Sequence, residues 1–427
     1  RSEWLPVGAN LERGIAGRVV AGDLRYDGDS FKASSRFTVR QRDARNAEVI
    51  GARASAGEAV AIQTDARWQP LNRAVDLDLG YEAQTQRTPQ LQEIYVRITP
   101  DLPEAQFVWQ DDDGDGIRDL DEFVPETGPL EGTYARTFVP SDTLVGVVGI
   151  TTRARLTFDP GRLQSTSQSR VGRFLRSTRW RTQFDVQERS SLDDPTRLYL
   201  LDPTAFQQAA TTLNGRVRLT QSVEFFRGQP RYGLEVGGSL IRTRNQLAGN
   251  TESRTIDNVR ASGRYGFSSD WSITAEATTG LETSDSERFG SRRYRLRTNE
   301  GQGGMRWTPG AGTSVQASLV AAQKTDAAAD RSSRIFRVPL EARYARSSGL
   351  LASGLIEWTD VRLDGDAAGE AAFELTDGRG TGRSLLWNAA LTVRLSRSLD
   401  LTAQYDGRAP SGAPTIHTGR MQLSATF

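Results

Sequence analysis

The sequence has no cysteine, one histidine, and only two lysines, Lys32 and Lys324, in 427 residues. Without cysteine there is neither a disulfide framework nor a thiolate metal site to consider. With His417 as the sole histidine, a serine or cysteine nucleophile has at most one candidate base, and no distinctive Ser or Asp pattern accompanies it. No phosphate-binding loop is present either: GQGG at 301–304 falls inside a strand pattern, where glycine eases close packing. No catalytic residues are therefore assigned, and the chain is expected not to be an enzyme. Excess charge of one sign is also missing. A net charge of +1 gives no broad drive toward nucleic acid, so none is expected as a partner. Finally, no long hydrophobic run occurs. A membrane helix needs roughly 18 to 20 uninterrupted apolar residues, and the nearest candidate, LVGVVGI at 144–150, is broken at once by TTRAR. That excludes a helical inner-membrane protein.

What recurs is strict alternation. In AVDLDLGYEAQ, Val75, Leu77, Leu79, Tyr81 and Ala83 oppose Asp76, Asp78, Glu82 and Gln84. Val148, Ile150, Thr152, Ala154, Leu156 and Phe158 oppose Thr151, Arg153, Arg155 and Thr157. The same reading holds for Leu385, Trp387, Ala389, Leu391, Val393 and Leu395, and for Leu399, Leu401, Ala403 and Tyr405. These runs last about 10 to 15 residues, roughly twice an ordinary globular strand. A strand tilted across a bilayer needs about 9 to 11 residues and shows alternation instead of continuous hydrophobicity.

The connections also alternate. Short turns are read at DARN (43–46), QPLN after Trp68, DPGR (159–162), RGQP (227–230), SSD before Trp271, TPGAG after Trp307, RSSG (346–349) and RSL near Ser398. Between them lie longer segments: an insertion from about 87 to 143, the stretch from about Glu188 to Ala210, NQLAGNTES, ETSDSERFGS, KTDAAADRSS, DGDAAGEAAFELTDGRGTG and GRAPSGAP. Short turns at one end and long loops at the other are the asymmetry of outer-membrane barrels, with short periplasmic turns and long extracellular loops. A membrane interior offers no water to backbone amides, so a sheet spans it only as a closed barrel. The expected fold is all-β: one transmembrane antiparallel up-and-down β-barrel over 1–427, of about 18 strands (16 to 20), with both chain ends on the short-turn side. Its lumen face would carry Asp76, Asp78, Glu82, Arg153, Arg155, Arg181, Arg216, Arg218, Arg394 and Arg420. Trp68, Trp271 and Trp307 stand near turns, where an aromatic girdle or ordinary strand-end packing would put them.

The final strand, with Met421, Leu423, Ala425 and Phe427 apolar at every second position, resembles the C-terminal signature of Gram-negative outer-membrane β-barrels. The resemblance implies a bacterial outer membrane, surrounding lipid, and recognition by the barrel-insertion machinery through the strand ending at Phe427. Arg1 is not a methionine, so a leader already removed or a longer parent chain is expected.

One stretch has metal-ligand spacing. In DDDGDGIRDLDEF (111–123), Asp111, Asp113 and Asp115 alternate, Gly116 follows, and Glu122 stands at the bidentate position of an EF-hand-type loop. The Ile117 carbonyl and Asp119 complete the set for Ca2+. The segment also resembles the calcium repeats of thrombospondin type 3 and dockerin-like modules, although Arg118 occupies a position that is usually β-branched and apolar. The alternative is a solvated acidic turn. A calcium loop within 111–122, in the extracellular insertion 87–143, is the expectation, with EIYVRI and TYARTF beside it as short extracellular strands. Function then divides between a porin-like channel for small solutes and a structural or surface-display barrel that binds a partner through calcium-stabilised outer loops. A homo-oligomer or protein complex is left open.

Overall fold

The computed structural model describes residues 2–7, 10–44, 57–99, 102, 104–126, 132–163, 169–191, 196–199, 202, 205–346, 349–365, 369–396 and 398–425. The alternating segments are extended, because successive side chains on a pleated strand point to opposite faces. Twenty strands belong to one sheet: β1 (Ser2–Val7), β2 (Asn10–Asp27), β3 (Phe31–Ala44), β4 (Gly57–Trp68), β5 (Val75–Arg97), β6 (Phe107–Trp109), β7 (Phe123–Pro125), β8 (Tyr134–Phe158), β9 (Arg179–Ser190) and β10 (Thr212–Phe225), followed by β11 (Tyr232–Leu247), β12 (Asn250–Gly266), β13 (Trp271–Ser286), β14 (Tyr294–Gly310), β15 (Thr313–Asp326), β16 (Arg331–Arg346), β17 (Leu350–Asp364), β18 (Gly382–Ser396), β19 (Leu399–Ala409) and β20 (Ile416–Ala425). Setting aside the short hairpin of β6 and β7, 18 of them pair antiparallel with their chain neighbours, β5 pairing with β8 across the insertion. The fold is all-β and up-and-down, of the antiparallel β-barrel class.

Several details differ from the sequence reading. The chain reverses at 28–30, a turn the sequence reading did not find; of DARN, Asp43 and Ala44 are still in β3, and 45–46 lie outside the described residues. Alternation through β2 and β3 is diluted by paired polar residues, which hid that turn. EIYVRI and TYARTF are not separate strands but the far ends of β5 and β8. NQLAGNTES is mostly strand, since β11 and β12 meet across two residues, Ala248 and Gly249. DPGR opens a segment running to Thr178 that contains helix α1 (Arg170–Arg176), so the short-turn end carries one elaborated connection. Phe427 lies outside the described residues.

The chain divides into two compact units, 1–91 with 140–221 and 240–251, and 92–139 with 222–239 and 252–427. In the first, ladder register puts Leu24, Phe37, Tyr81, Leu156 and Phe184 on one face and Arg25, Asp65, Arg67, Asp78, Arg153 and Asp185 on the other. The apolar face is not bare throughout. Ala83, Val148 and Ile150 are buried beneath Leu198 and Ala205, carried by helix α2 (Thr196–Tyr199) and the residues after it. Beyond the antiparallel order, Leu247 of β11 pairs parallel with Leu91 of β5, and the Ala248 amide donates to the Leu91 carbonyl at 2.9 Å.

In the second unit, Ile273, Met305, Ala317, Leu340, Ile356, Trp387, Ala389, Tyr405 and Met421 follow one another across the ladders on a single face. Leu319, on the same side of β15, is 57% exposed. Its strand neighbours Ser318, Val320, Ala322, Lys324 and Asp326 face the opposite way and are buried. Tyr405 and His417 stack on that apolar face with Trp387, where the His417 Nδ1 lies 2.7 Å from the Tyr405 hydroxyl. Gly407 is required there, because a Cβ would run into the Trp387 ring.

Candidate functional site

Seated at the Lys324 end of the buried row of β15 is a helix that period-two reading does not find. Within the 365–381 connection, helix α3 (Gly369–Thr376) turns Ala371, Ala372, Leu375 and Thr376 to one side. It closes with Gly378, whose φ of 64° and amide bond to the Phe373 carbonyl end the helix. Ala371 and Leu375 pack on Tyr294 and Leu296 of β14, with Leu363 of β17 against them. Polar anchors surround this contact. The Lys324 Nζ donates to the Glu374 carbonyl and to Asp377, each at 2.5 Å, and Ser333 Oγ donates to the Leu375 carbonyl at 2.5 Å. Arg254 pairs with Glu374 at 3.0 Å and Arg379 with Glu357 at 2.5 Å.

At the start of α3 stands a charge cluster. Arg292, in the turn before β14, lies 2.8 Å from Glu93 and 2.6 Å from Glu252. Arg136 of β8 meets the same two carboxylates at 2.9 and 2.7 Å. Glu370 of α3 lies 3.9 Å from Arg292 and 4.0 Å from Arg136. Two cations thus face three carboxylates, and the Arg292 and Glu93 side chains are only 6% and 3% exposed. Charges so buried persist because each has partners. Burial alone would pull the Arg292 guanidinium down, but its hydrogen bond to Glu93 and the surrounding negative charge hold it well above its ordinary value. Burial pushes the Glu370 carboxyl up, against the opposing charge of Arg292 and Arg136. Sequence reasoning missed all five members, because they come from five separate connections and strands.

The acidic loop adjoins this cluster: Arg292 also donates to the Leu120 carbonyl at 3.3 Å and to the Tyr95 hydroxyl at 3.0 Å. Tyr95 stacks on Phe123 at 4.0 Å, and Phe123 meets Tyr134 edge-on. Of the six proposed calcium ligands, the structure brings Asp111, Asp113 and Asp115 together, with ligand oxygens within 4.8 Å of one another. Their carboxylates already cap the loop's amides. Asp111 accepts from Gly114 and Gly116, Asp113 from Asp115, and Asp115 from Ile117. Gly114 and Gly116 have φ of 76° and 71°, the left-handed backbone that the sharp bend needs.

Glu122 is placed differently. It is buried and accepts from Trp109 Nε1 at 2.7 Å and from the amides of Asp112 and Asp119. Asp119 is exposed. Partial desolvation, with the charges of Asp115, Asp121 and Glu122, raises its carboxyl above the ordinary range. Ile117 is exposed at the loop tip. Arg118, the departure from the usual pattern, reaches back over the Trp109 and Tyr134 rings at 5.3 and 5.7 Å.

The first unit holds a cavity of about 470 Å³ on its polar face. Asp78, Arg153 and Arg155, three of the residues expected to face inward, line it with Arg67 and Asp185.

No family model matches the chain, and no curated protein matches it in sequence. Among solved structures, it is similar to the FrpB iron transporter from Neisseria meningitidis (F3-3 variant), at 12% identity and TM-score 0.37, over 92% of this chain and 68% of that one. It is similar also to the ferric-catecholate import receptor Fiu from E. coli K12, at 10% identity and TM-score 0.38, over 93% and 64%. A third likeness is to the copper transporter OprC, at 10% identity and TM-score 0.32, over 96% and 78%. The chain is thus shorter than each. Its own surface is informative independently of them. Rows of exposed Leu, Ile, Phe, Met and Trp on one sheet face, opposite a face of ion pairs, suit lipid on one side and a polar interior on the other. The fold and this surface are those of a β-barrel of the bacterial outer membrane.

Proposed function

We propose that the chain is an outer-membrane transport barrel whose polar face conducts small solutes and is narrowed, in the second unit, by the inward-seated stretch 369–381. The observation that carries this reading is the seat of α3. A loop with only a display role would project from the strands, whereas this one is held on the inner row by Lys324, Ser333 and the Arg136/Arg292 cluster. These contacts suit a constriction and not a freely open pore. Planar-bilayer conductance tests it. The intact chain should give small or infrequent steps, and a variant with 366–381 replaced by a short glycine-serine turn should give larger, steady ohmic ones. Identical traces from the two would refute it.

A second reading, a structural or surface-display barrel, is favoured by the order of the acidic loop. In either case Asp111, Asp113, Asp115, the Ile117 carbonyl, Asp119 and Glu122 are proposed to hold Ca2+, with Glu122 first leaving or sharing its bond to Trp109. The ion would fix the loop beside Arg292. The long-loop end is assigned to the cell exterior, β20 and Phe427 to recognition by the insertion machinery, and no catalytic role to His417. Assembly as a homo-oligomer remains compatible with both readings.

A further inference from the structure

Helix α1 is a seven-residue helix, RVGRFLR, in the connection between β8 and β9 on the short-turn side of the first unit. At 100° per residue, Val171, Phe174 and Leu175 share one arc of about 100°, and Arg170, Arg173 and Arg176 occupy the opposite one. Such a helix in a water-soluble domain would press its apolar arc on the core. Here that arc faces outward: Val171 is 67% exposed, Phe174 43% and Leu175 44%.

So short a helix is marginal by itself, yet both of its ends are fixed. Ser169 Oγ accepts from the Gly172 amide at 3.0 Å, while Ser177 and Thr178 hydroxyls donate to the Phe174 and Leu175 carbonyls at 2.7 and 2.8 Å. Its last turn is held against the β8 turn, where a Cβ on Gly161 would lie 2.8 Å from the Arg176 carbonyl. The structure thus orders the helix while Val171, Phe174 and Leu175 stay exposed.

The neighbouring strand ends say what covers it. Trp180, four residues past the helix, is 51% exposed on the apolar face of β9 and meets Phe158 of β8 edge-on at 6.3 Å. Leu156 and Phe184 continue that face into the sheet. Indole and arginine at the end of an apolar sheet face are the composition of the bilayer's headgroup layer.

We propose that α1 lies in the headgroup layer of the leaflet on the short-turn side, with Val171, Phe174 and Leu175 entering the acyl boundary and Arg170, Arg173 and Arg176 engaging the phosphates of anionic phospholipid. The inference rests on the outer-membrane location and not on the transport reading, so its test is independent of conductance. The absence of cysteine makes spin labelling direct. Val171→Cys, Leu175→Cys and Arg173→Cys are each labelled in the full chain in phosphatidylglycerol-containing vesicles, and collision rates with oxygen and with a water-soluble nickel chelate are compared. The oxygen-to-nickel ratio should be several-fold higher at 171 and 175 than at 173. Equal ratios at the three sites, or labels at 171 and 175 shielded from both reagents as beneath a protein partner, overturn the proposal. Hydrogen exchange of the unsubstituted chain gives the second measurement. Amides 171–176 should exchange several-fold more slowly in phosphatidylglycerol vesicles than in phosphatidylcholine vesicles, and equal rates overturn the assignment to anionic lipid.

Discussion

Arg292→Met removes one of the two cations paired with Glu93, Glu252 and Glu370 at the head of α3 and leaves Arg136 in place. The methionine fills much of the space, so the change is chiefly electrostatic. Two unit charges about 4 Å apart interact by about 4 kcal/mol at an effective dielectric near 20. Arg292 makes two closer pairs, to Glu93 at 2.8 Å and Glu252 at 2.6 Å, offset in part by its own cost of burial. Breaking a buried pair by deleting one partner costs about 3–5 kcal/mol. At 1.4 kcal/mol per factor of ten, local opening should become about a hundredfold to a few thousandfold more frequent. Hydrogen exchange in detergent micelles reads this directly, in peptides covering 111–125, 287–296 and 369–378, which should all lose protection together. Glu370 supplies a pH signature. Its carboxyl is raised, so the stability it contributes is present below the ordinary carboxylate range and lost as pH rises through the raised value. In the variant, protection should therefore recover on acidification. Arg293→Met, which removes a half-exposed partner of Asp285, should change exchange by less than tenfold. A rise below tenfold in Arg292→Met, or one confined to a single peptide, would refute the idea that the cluster locks helix, turn and acidic loop as one piece.

Other outcomes follow from the two faces and the loop. Leu319→Arg puts a charge on the exposed face of β15 and should destabilise the folded protein in bilayers by about 2–4 kcal/mol if it lies near the midplane, measured by urea titration in vesicles; no loss would contradict lipid on that side. Asp113→Asn should weaken Ca2+ binding at least tenfold by calorimetry, with equal heats from both proteins arguing against the site. Because Asp119 is raised by desolvation and by Asp115, Asp121 and Glu122, the proton competes with the cation. Affinity should fall as pH drops through that raised value, whereas the cation-free loop loses stability as pH rises through it.

The faces of the sheet were legible because alternation needs only local sequence. Leu385, Trp387, Leu391, Tyr405, Met421 and Leu423 were separated from their polar neighbours by reading alone, and the ladders keep them on one face. The strand number was legible for the same reason. The α3 helix was less so, although GEAAFELT carries a 3.6-residue spacing at Ala371, Ala372, Leu375 and Thr376. Surrounded by glycine and aspartate, it read as one more polar connection. The Arg292 cluster was not legible at all, since nothing local marks Glu93, Arg136, Glu252 and Glu370 as partners. For the acidic loop, spacing found Asp111, Asp113 and Asp115 but could not show that Glu122 bonds Trp109, a contact set by the β6–β7 hairpin.

The most direct test of the account is a spin-label scan of residues 313–326, one cysteine at a time, in lipid bilayers. Oxygen accessibility should oscillate with period two, high at 317, 319 and 321, and low to both oxygen and nickel at 318, 320, 322 and 324, the buried row that meets α3 at Lys324. A flat profile, or nickel access at 317, 319 and 321, would contradict a sheet that meets lipid with one face and folds its own loop onto the other.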